Sequence, residues 1–274
     1  MKKEGPIGVF DSGYGGLTVL KELRKRLPQY DYLYLGDNAR APYGSRSFDV
    51  VYEYTKQAVE ELFSRGCSLV IVACNTASAK ALRTIQQNDL PNLDKDKRVL
   101  GVIRPSTEEI GTFSTSGHIG IVATEGTVRS NSYELELAKT FPNLVVTQKA
   151  CPMWVPLIEN DEYTNKGAEY FIKRDIDELL KMDQQIDAIL LGCTHYPIIE
   201  SLIAAQVPSY IKIISQGPLV AQKLEDYLNR HPEMEERCSK GGEVSFLTTE
   251  RASVFDEKAV RFFEEPIESI HIRL

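Results

Sequence analysis

No apolar run in this 274-residue chain approaches membrane-spanning length. Its opening segment, MKKEGPIGVFDSG, passes into glycines without the hydrophobic stretch of a signal peptide, so a cytoplasmic location without membrane contact is expected. Cysteine is scarce. The five cysteines, at 67, 74, 151, 193 and 238, form no C-x2-C pair, and their odd number argues against a disulfide framework as well as a zinc knuckle. They read as free thiols, and no metal is expected. A basic stripe is also missing. With a formal net charge of -7 there is no dense Lys/Arg surface to neutralise phosphates, so nucleic acid is not an expected partner. The glycines Gly13, Gly15 and Gly16 do not complete a dinucleotide fingerprint, because the third required position is Thr18.

What is present is the composition of a globular protein, 42% hydrophobic and 26% charged, with enough apolar residues for a packed core. Short apolar runs alternate with helical patterns: PIGVF before GLTVLKELRKRL, DYLYLG before FDVVYEYTKQAVEELF, SLVIVAC before ASAKALRTIQQN. This alternation predicts an α/β fold with a doubly wound, mostly parallel sheet. The pattern also repeats. GVFDSG at Gly8–Gly13 is echoed by GIVATEG at Gly120–Gly126, and VIVACNTAS at 70–78 by AILLGCTHYP at 188–197. Two similar α/β domains related by a pseudo-twofold axis follow, the first comprising residues 1–97 plus 210–274 and the second 98–209. The polar segment NDLPNLDKDKR at 88–98 is the expected crossing point between them. Each half has one further strand, VLGVI at 99–103 and IKIIS at 211–215, whose allegiance the sequence leaves open.

Ligands of open α/β sheets bind beyond the carboxyl ends of the strands, so two facing units share one cleft. Cys74 and Cys193 occupy equivalent strand ends and would face each other across it. Each is followed by a helix start, where N–H groups can favour thiolate; the alternative for each alone is a small buried hydrophobe. Asp11 ends the first strand ahead of D-S-G-Y-G-G. Paired in the repeat with Thr124, it is a carboxylate on one side only, suited to proton handling or to a substrate ammonium, with helix capping as the alternative. His195, beside Cys193, has the near-neutral pKa to support a thiol. Glu159, in CPMWVPLIEN, could assist it or be an ordinary helix-surface residue. Tyr43 and Gly44, in the loop after the second strand, could offer the ligand a backbone donor.

The segments GVFDSGYGGLTVL, GDNARAPYGSRS, VACNTASA, ATEGT and LLGCTHYP together resemble the motif set of bacterial glutamate racemases, within the aspartate/glutamate racemase superfamily. The resemblance spans about residues 7–197. It implies a cofactor-independent enzyme with a cleft between two α/β domains, and proton donor/acceptor roles for Cys74 and Cys193. It further implies substrate contacts at Asp11, Ser12, Tyr43, Gly44, Asn75, Thr76, Thr194 and His195, with Asp11, Glu159 and His195 as supporting acid/base residues. The partner would be L- or D-glutamate, the product D-glutamate for peptidoglycan, and a homodimer is left open. Three stretches depart from the usual wording: IRPST with Arg104, SQGPLVAQ and TTERASVF.

Racemisation removes a proton from one face of Cα and delivers one to the other, a task that two opposed groups solve without motion of the base. A thiolate is weak against such a C–H, so pre-placed donors and exclusion of water must stabilise the carbanion; Asn75, Thr76 and Thr194 are the candidates. Rival readings are an aspartate racemase, separated by one methylene, and a silent amino-acid-binding protein, which the cysteine pair argues against. A thiol hydrolase leaves the second cysteine unexplained.

Overall fold

The computed structural model describes residues 4–274. Two parallel sheets carry the same strand order. In the first, β1 (Ile7–Asp11), β2 (Tyr32–Gly36), β3 (Leu69–Val72) and β4 (Arg98–Gly101) run β2-β1-β3-β4. In the second, β5 (His118–Ala123), β6 (Val145–Ala150), β7 (Ala188–Gly192) and β8 (Lys212–Ile214) run β6-β5-β7-β8. β9 (Val244–Thr248) and β10 (Ser269–His271) extend the first sheet beyond β2, also in parallel. β1, β3 and β7 are buried along their whole length, as expected for strands covered by helices on both faces.

Two expectations are corrected by the strand pairing. β4 hydrogen-bonds to β3, from Leu69 opposite Arg98 to Val72 opposite Gly101, and β8 hydrogen-bonds to β7. Each last strand therefore stays with its own half, and both boundaries, placed at 97/98 and 209/210, move one strand later. The segment 88–98 is not a crossing: it closes a helix at Leu93 and enters β4 by a turn. The chain crosses after Gly101, through the helix Ile103–Thr107, and returns after Ile214, through the helix Gln216–Arg230.

That return helix buries Val220, Leu224 and Leu228, spaced four apart on one face, and packs on the helix Gly16–Arg26, which offers Leu17, Leu20 and Leu23. One continuous core joins these residues to Trp154, Ile176 and Tyr196 of the second half and to Phe255 and Phe262 of the last helix, Ala252–Phe263. The chain from Gln216 onward thus packs back on the first half, and the two units share buried surface behind the cleft.

The register also corrects one equivalence inside the repeat. Gly8 lies opposite Val70 and Gly120 opposite Ile189, so with the two cysteines superposed Asp11 matches Ala123, and Thr124 matches Ser12. Asp11 remains the charge that breaks the symmetry, but against an alanine.

Candidate active site

The strand order reverses between β1 and β3, and again between β5 and β7. These are the switch points where connecting helices diverge and leave a crevice above the strand ends. Ser12, Cys74, Asn75 and Thr76 reach the crevice from the first half, and Cys193, Thr194 and His195 from the second. Together with Tyr43, Gly44, Thr124 and Glu159 they line a single cavity of ≈170 Å³. Asp11 is the exception among the residues singled out from the sequence, being fully buried behind the wall. His195 carries the one basic side chain among the described lining residues. Among the described residues no cluster of three or more His, Cys, Asp or Glu side chains could hold a metal ion.

Cys74 caps the helix Asn75–Lys80, its sulfur 3.5 Å from the Ala77 N–H, and Ser12 Oγ lies 3.3 Å from the same sulfur. These contacts favour thiolate, as the helix start suggested. They are outweighed: burial, reinforced by the Asp11 charge, pushes the Cys74 thiol up to about 12. Cys74 is thereby favoured as a thiol. Asp11 itself is raised by burial, against the opposing pull of His195 and of the Gly13 N–H, which donates to Asp11 Oδ1 at 2.8 Å.

Cys193 sits in a different setting. His195 Nδ1 faces its sulfur at 3.9 Å, and His195 Nε2 meets Glu159 Oε1 at 2.9 Å. Burial works against a charged ring here, but the hydrogen bonds to Cys193 and Glu159 prevail and push the His195 pKa up to about 10. Burial likewise opposes ionisation of Glu159, and the His195 hydrogen bond reverses that, leaving the carboxyl below its usual value. At neutral pH the ring is an imidazolium that offers one N–H to a carboxylate and the other to a thiol. Glu159, the last residue of the helix Trp154–Glu159, is half-buried and bonded to His195 instead of lying free on a helix surface.

The halves touch closely around the cavity. Thr194 Oγ1 donates to Asp11 Oδ2 at 3.3 Å, Thr18 Oγ1 to the Thr194 carbonyl at 2.9 Å, and the Gly126 N–H to the Gly44 carbonyl at 2.9 Å. Thr76 and Thr124 share a hydroxyl contact of 2.9 Å. Gly15 is required by space, since a Cβ there would fall 2.2 Å from Thr194 Oγ1 and 2.5 Å from His195 Nδ1. Tyr43 is buried with its hydroxyl donating to Asp37, so its side chain serves the loop and only the loop wall faces the ligand. Arg104 points outward to Glu108 and does not touch the cavity. Several lining residues escaped the sequence reading, Thr124, Glu125 and Cys151 among them. Thr124 appeared only as a repeat partner, although its own motif, ATEGT, marked it. Cys151 also lines the cavity, and it carried no signal beyond standing in the loop after β6.

A pair of repeated parallel α/β units, each offering one cysteine from an equivalent strand end to one shared cavity, defines a two-domain, two-thiol class of protein. The Asp/Glu/Hydantoin racemase family matches residues 17–224. A glutamate racemase of Ruegeria sp. (strain TM1040) is 41% identical over 95% of this chain and 97% of its own. Among solved structures, a glutamate racemase isoform from Bacillus anthracis is 33% identical and superposes with a TM-score of 0.90, over 100% of this chain and 99% of that one. The glutamate racemase of Francisella tularensis, solved in complex with D-glutamate, is 31% identical with a TM-score of 0.86, over 100% and 98%. The chain belongs to the Asp/Glu/hydantoin racemase family.

Proposed function

We propose that this protein is a glutamate racemase, interconverting L- and D-glutamate by proton transfer between Cys74 and Cys193, and so supplies D-glutamate for peptidoglycan. The observation that carries the proposal is the unequal pair. Cys74 rests as a thiol beside Asp11, whereas Cys193 faces an imidazolium able to pair with a thiolate. The two thiols thus reach one cavity from the two halves in unlike surroundings, so that each can serve one face of Cα, as a two-base reaction requires.

For L-glutamate, Cys193 takes the Cα proton and Cys74 gives its own to the opposite face. The proton gained by Cys193 and the charge left on Cys74 are the resting state for D-glutamate, so the roles exchange. Hydroxyls of Ser12, Thr76, Thr124 and Thr194 and the backbone around Gly44 are the uncharged donors available to the substrate carboxylates and to carbanion charge in a buried site. His195 and Glu159 support Cys193; Asp11 supports Cys74 from behind the wall.

The nearest rival, aspartate, differs by one methylene, which binding alone discriminates by about 1–3 kcal/mol. Circular dichroism of the purified protein with L-glutamate, then with L-aspartate, tests the proposal. Ellipticity decaying to zero with glutamate, and far more slowly with aspartate, is expected. Faster loss of the aspartate signal would overturn the substrate assignment, and no loss of either would overturn the reaction.

A further inference from the structure

Two of the stretches that depart from the family wording, IRPST and SQGPLVAQ, meet at Gln216, which in turn bonds the residue next to Cys74. Asn75 Nδ2 donates to Gln216 Oε1 at 2.7 Å, and Tyr133 Oη donates to Asn75 Oδ1 at 2.6 Å. Gln216 Nε2 donates in turn to Tyr133 Oη and to Ser106 Oγ, both at 2.8 Å. Asn75, Tyr133 and Gln216 therefore close a ring, and all four side chains are buried.

The bonds run in one consistent direction. Ser106 Oγ gives its proton to the Val102 carbonyl, and Tyr133 gives its proton to Asn75, so both oxygens can only accept from Gln216 Nε2. Gln216 must then turn Oε1 toward Asn75, which fixes the Asn75 amide in one orientation. The contributors come from separate places: Asn75 from the helix after Cys74, Ser106 from the outgoing crossing, Tyr133 from the helix Ser132–Thr140, and Gln216 from the first residue of the return helix. Both crossings between the halves are thus tied to the turn that carries Cys74.

We infer that Gln216 is a positioning residue for the Cys74 side of the cavity, acting through Asn75 with Tyr133 as its second anchor; this rests on the racemase reading above. Removing one partner from a buried, fully paired network leaves the others unsatisfied, so the Asn75 turn loosens and the thiol beside it becomes easier to reach. The Cys193 side, held by His195 and Glu159, has no part in the ring.

The test uses Gln216→Leu and Tyr133→Phe in the full-length protein. In both, KM for glutamate is expected to rise about tenfold with a smaller change in kcat. Mass spectrometry after limited iodoacetamide treatment should show Cys74 alkylated several-fold faster relative to Cys193. Tyr133→Phe removes a single hydroxyl and keeps the assay decisive should Gln216→Leu fail to fold. Lower melting temperatures with unchanged KM and an unchanged Cys74-to-Cys193 alkylation ratio would make the ring merely structural and overturn the inference. Should the wild-type protein not racemise glutamate, the racemase reading fails, and the alkylation ratio, which needs no turnover, alone decides the role of Gln216.

Discussion

His195 Nε2 lies 2.9 Å from Glu159 Oε1, and this contact governs what the other ring nitrogen presents to Cys193. A buried imidazole left alone would prefer to be neutral. With the carboxylate on its far side it holds a proton on Nδ1, facing the sulfur at 3.9 Å, at any physiological pH. The ring that faces Cys193 is thereby tied to a glutamate 34 residues before that cysteine in the chain.

Replacing Glu159 by Gln removes that counter-charge, so the His195 pKa should fall from about 10, with the contact to Cys193 left as the remaining influence that raises it. Racemisation at neutral pH should drop by about 10²-fold, the lower end of what general acid/base support supplies. Proton NMR of the His195 ring and circular-dichroism kinetics across pH check both halves. An unaltered pH profile would reduce Glu159 to a packing residue.

The same pair makes stability depend on pH in two windows. His195 has a folded pKa raised from 6.5 to about 10, so its contribution is complete below the lower value and is lost as pH rises through the upper one. Glu159 is depressed below 4.5, so its contribution is present above that value and is lost as pH falls through the lowered one. Urea midpoints of wild type and Glu159→Gln should therefore differ most between about pH 4.5 and 6.5 and narrow toward both extremes. A constant gap from acid to alkaline pH would contradict the linkage.

Asp11→Asn should leave the fold intact while lowering turnover at least tenfold, in line with loss of acid/base support. It deletes the negative charge that, after burial, does most to hold Cys74 protonated. Cys74 should consequently react faster with iodoacetamide at a fixed, mildly alkaline pH, while Cys193 serves as the internal reference. Near-wild-type turnover would leave Asp11 a purely structural acceptor for Gly13 and Thr194.

The two cysteines should separate in a reaction that needs only one base. Cys74→Ser and Cys193→Ser should each lose racemisation in both directions, since every turnover uses both thiols. Loss of HCl from 3-chloroglutamate requires Cα deprotonation and no return of the proton. Cys74→Ser should then still process the L-configured analogue and Cys193→Ser the D-configured one. Equal loss of both eliminations in both variants, with intact folds by circular dichroism, would replace the one-thiol-per-face assignment with a shared base.

Much of this protein was legible before folding was considered, because the signals are local. A buried parallel strand is a continuous apolar run, and a cysteine at its carboxyl end is fixed by two or three neighbouring residues. The repeat of GVFDSG by GIVATEG, and of VACNTAS by LLGCTHYP, therefore determined two α/β units and the pairing of Cys74 with Cys193. The tertiary structure decided what depends on distant groups. Whether β4 and β8 stay with their own halves is settled by edge hydrogen bonds to β3 and β7, and the short apolar runs 99–103 and 211–215 carry no trace of that choice. The protonation of Cys74 could not be read from its helix start, because burial by the whole fold and the Asp11 charge, 63 positions away, outweigh the local N–H groups. Tyr133 and Gln216 lay in helices with no chemical motif; they reach Asn75 only because the chain crosses between the halves twice, and burial then requires each of their polar atoms to find a partner.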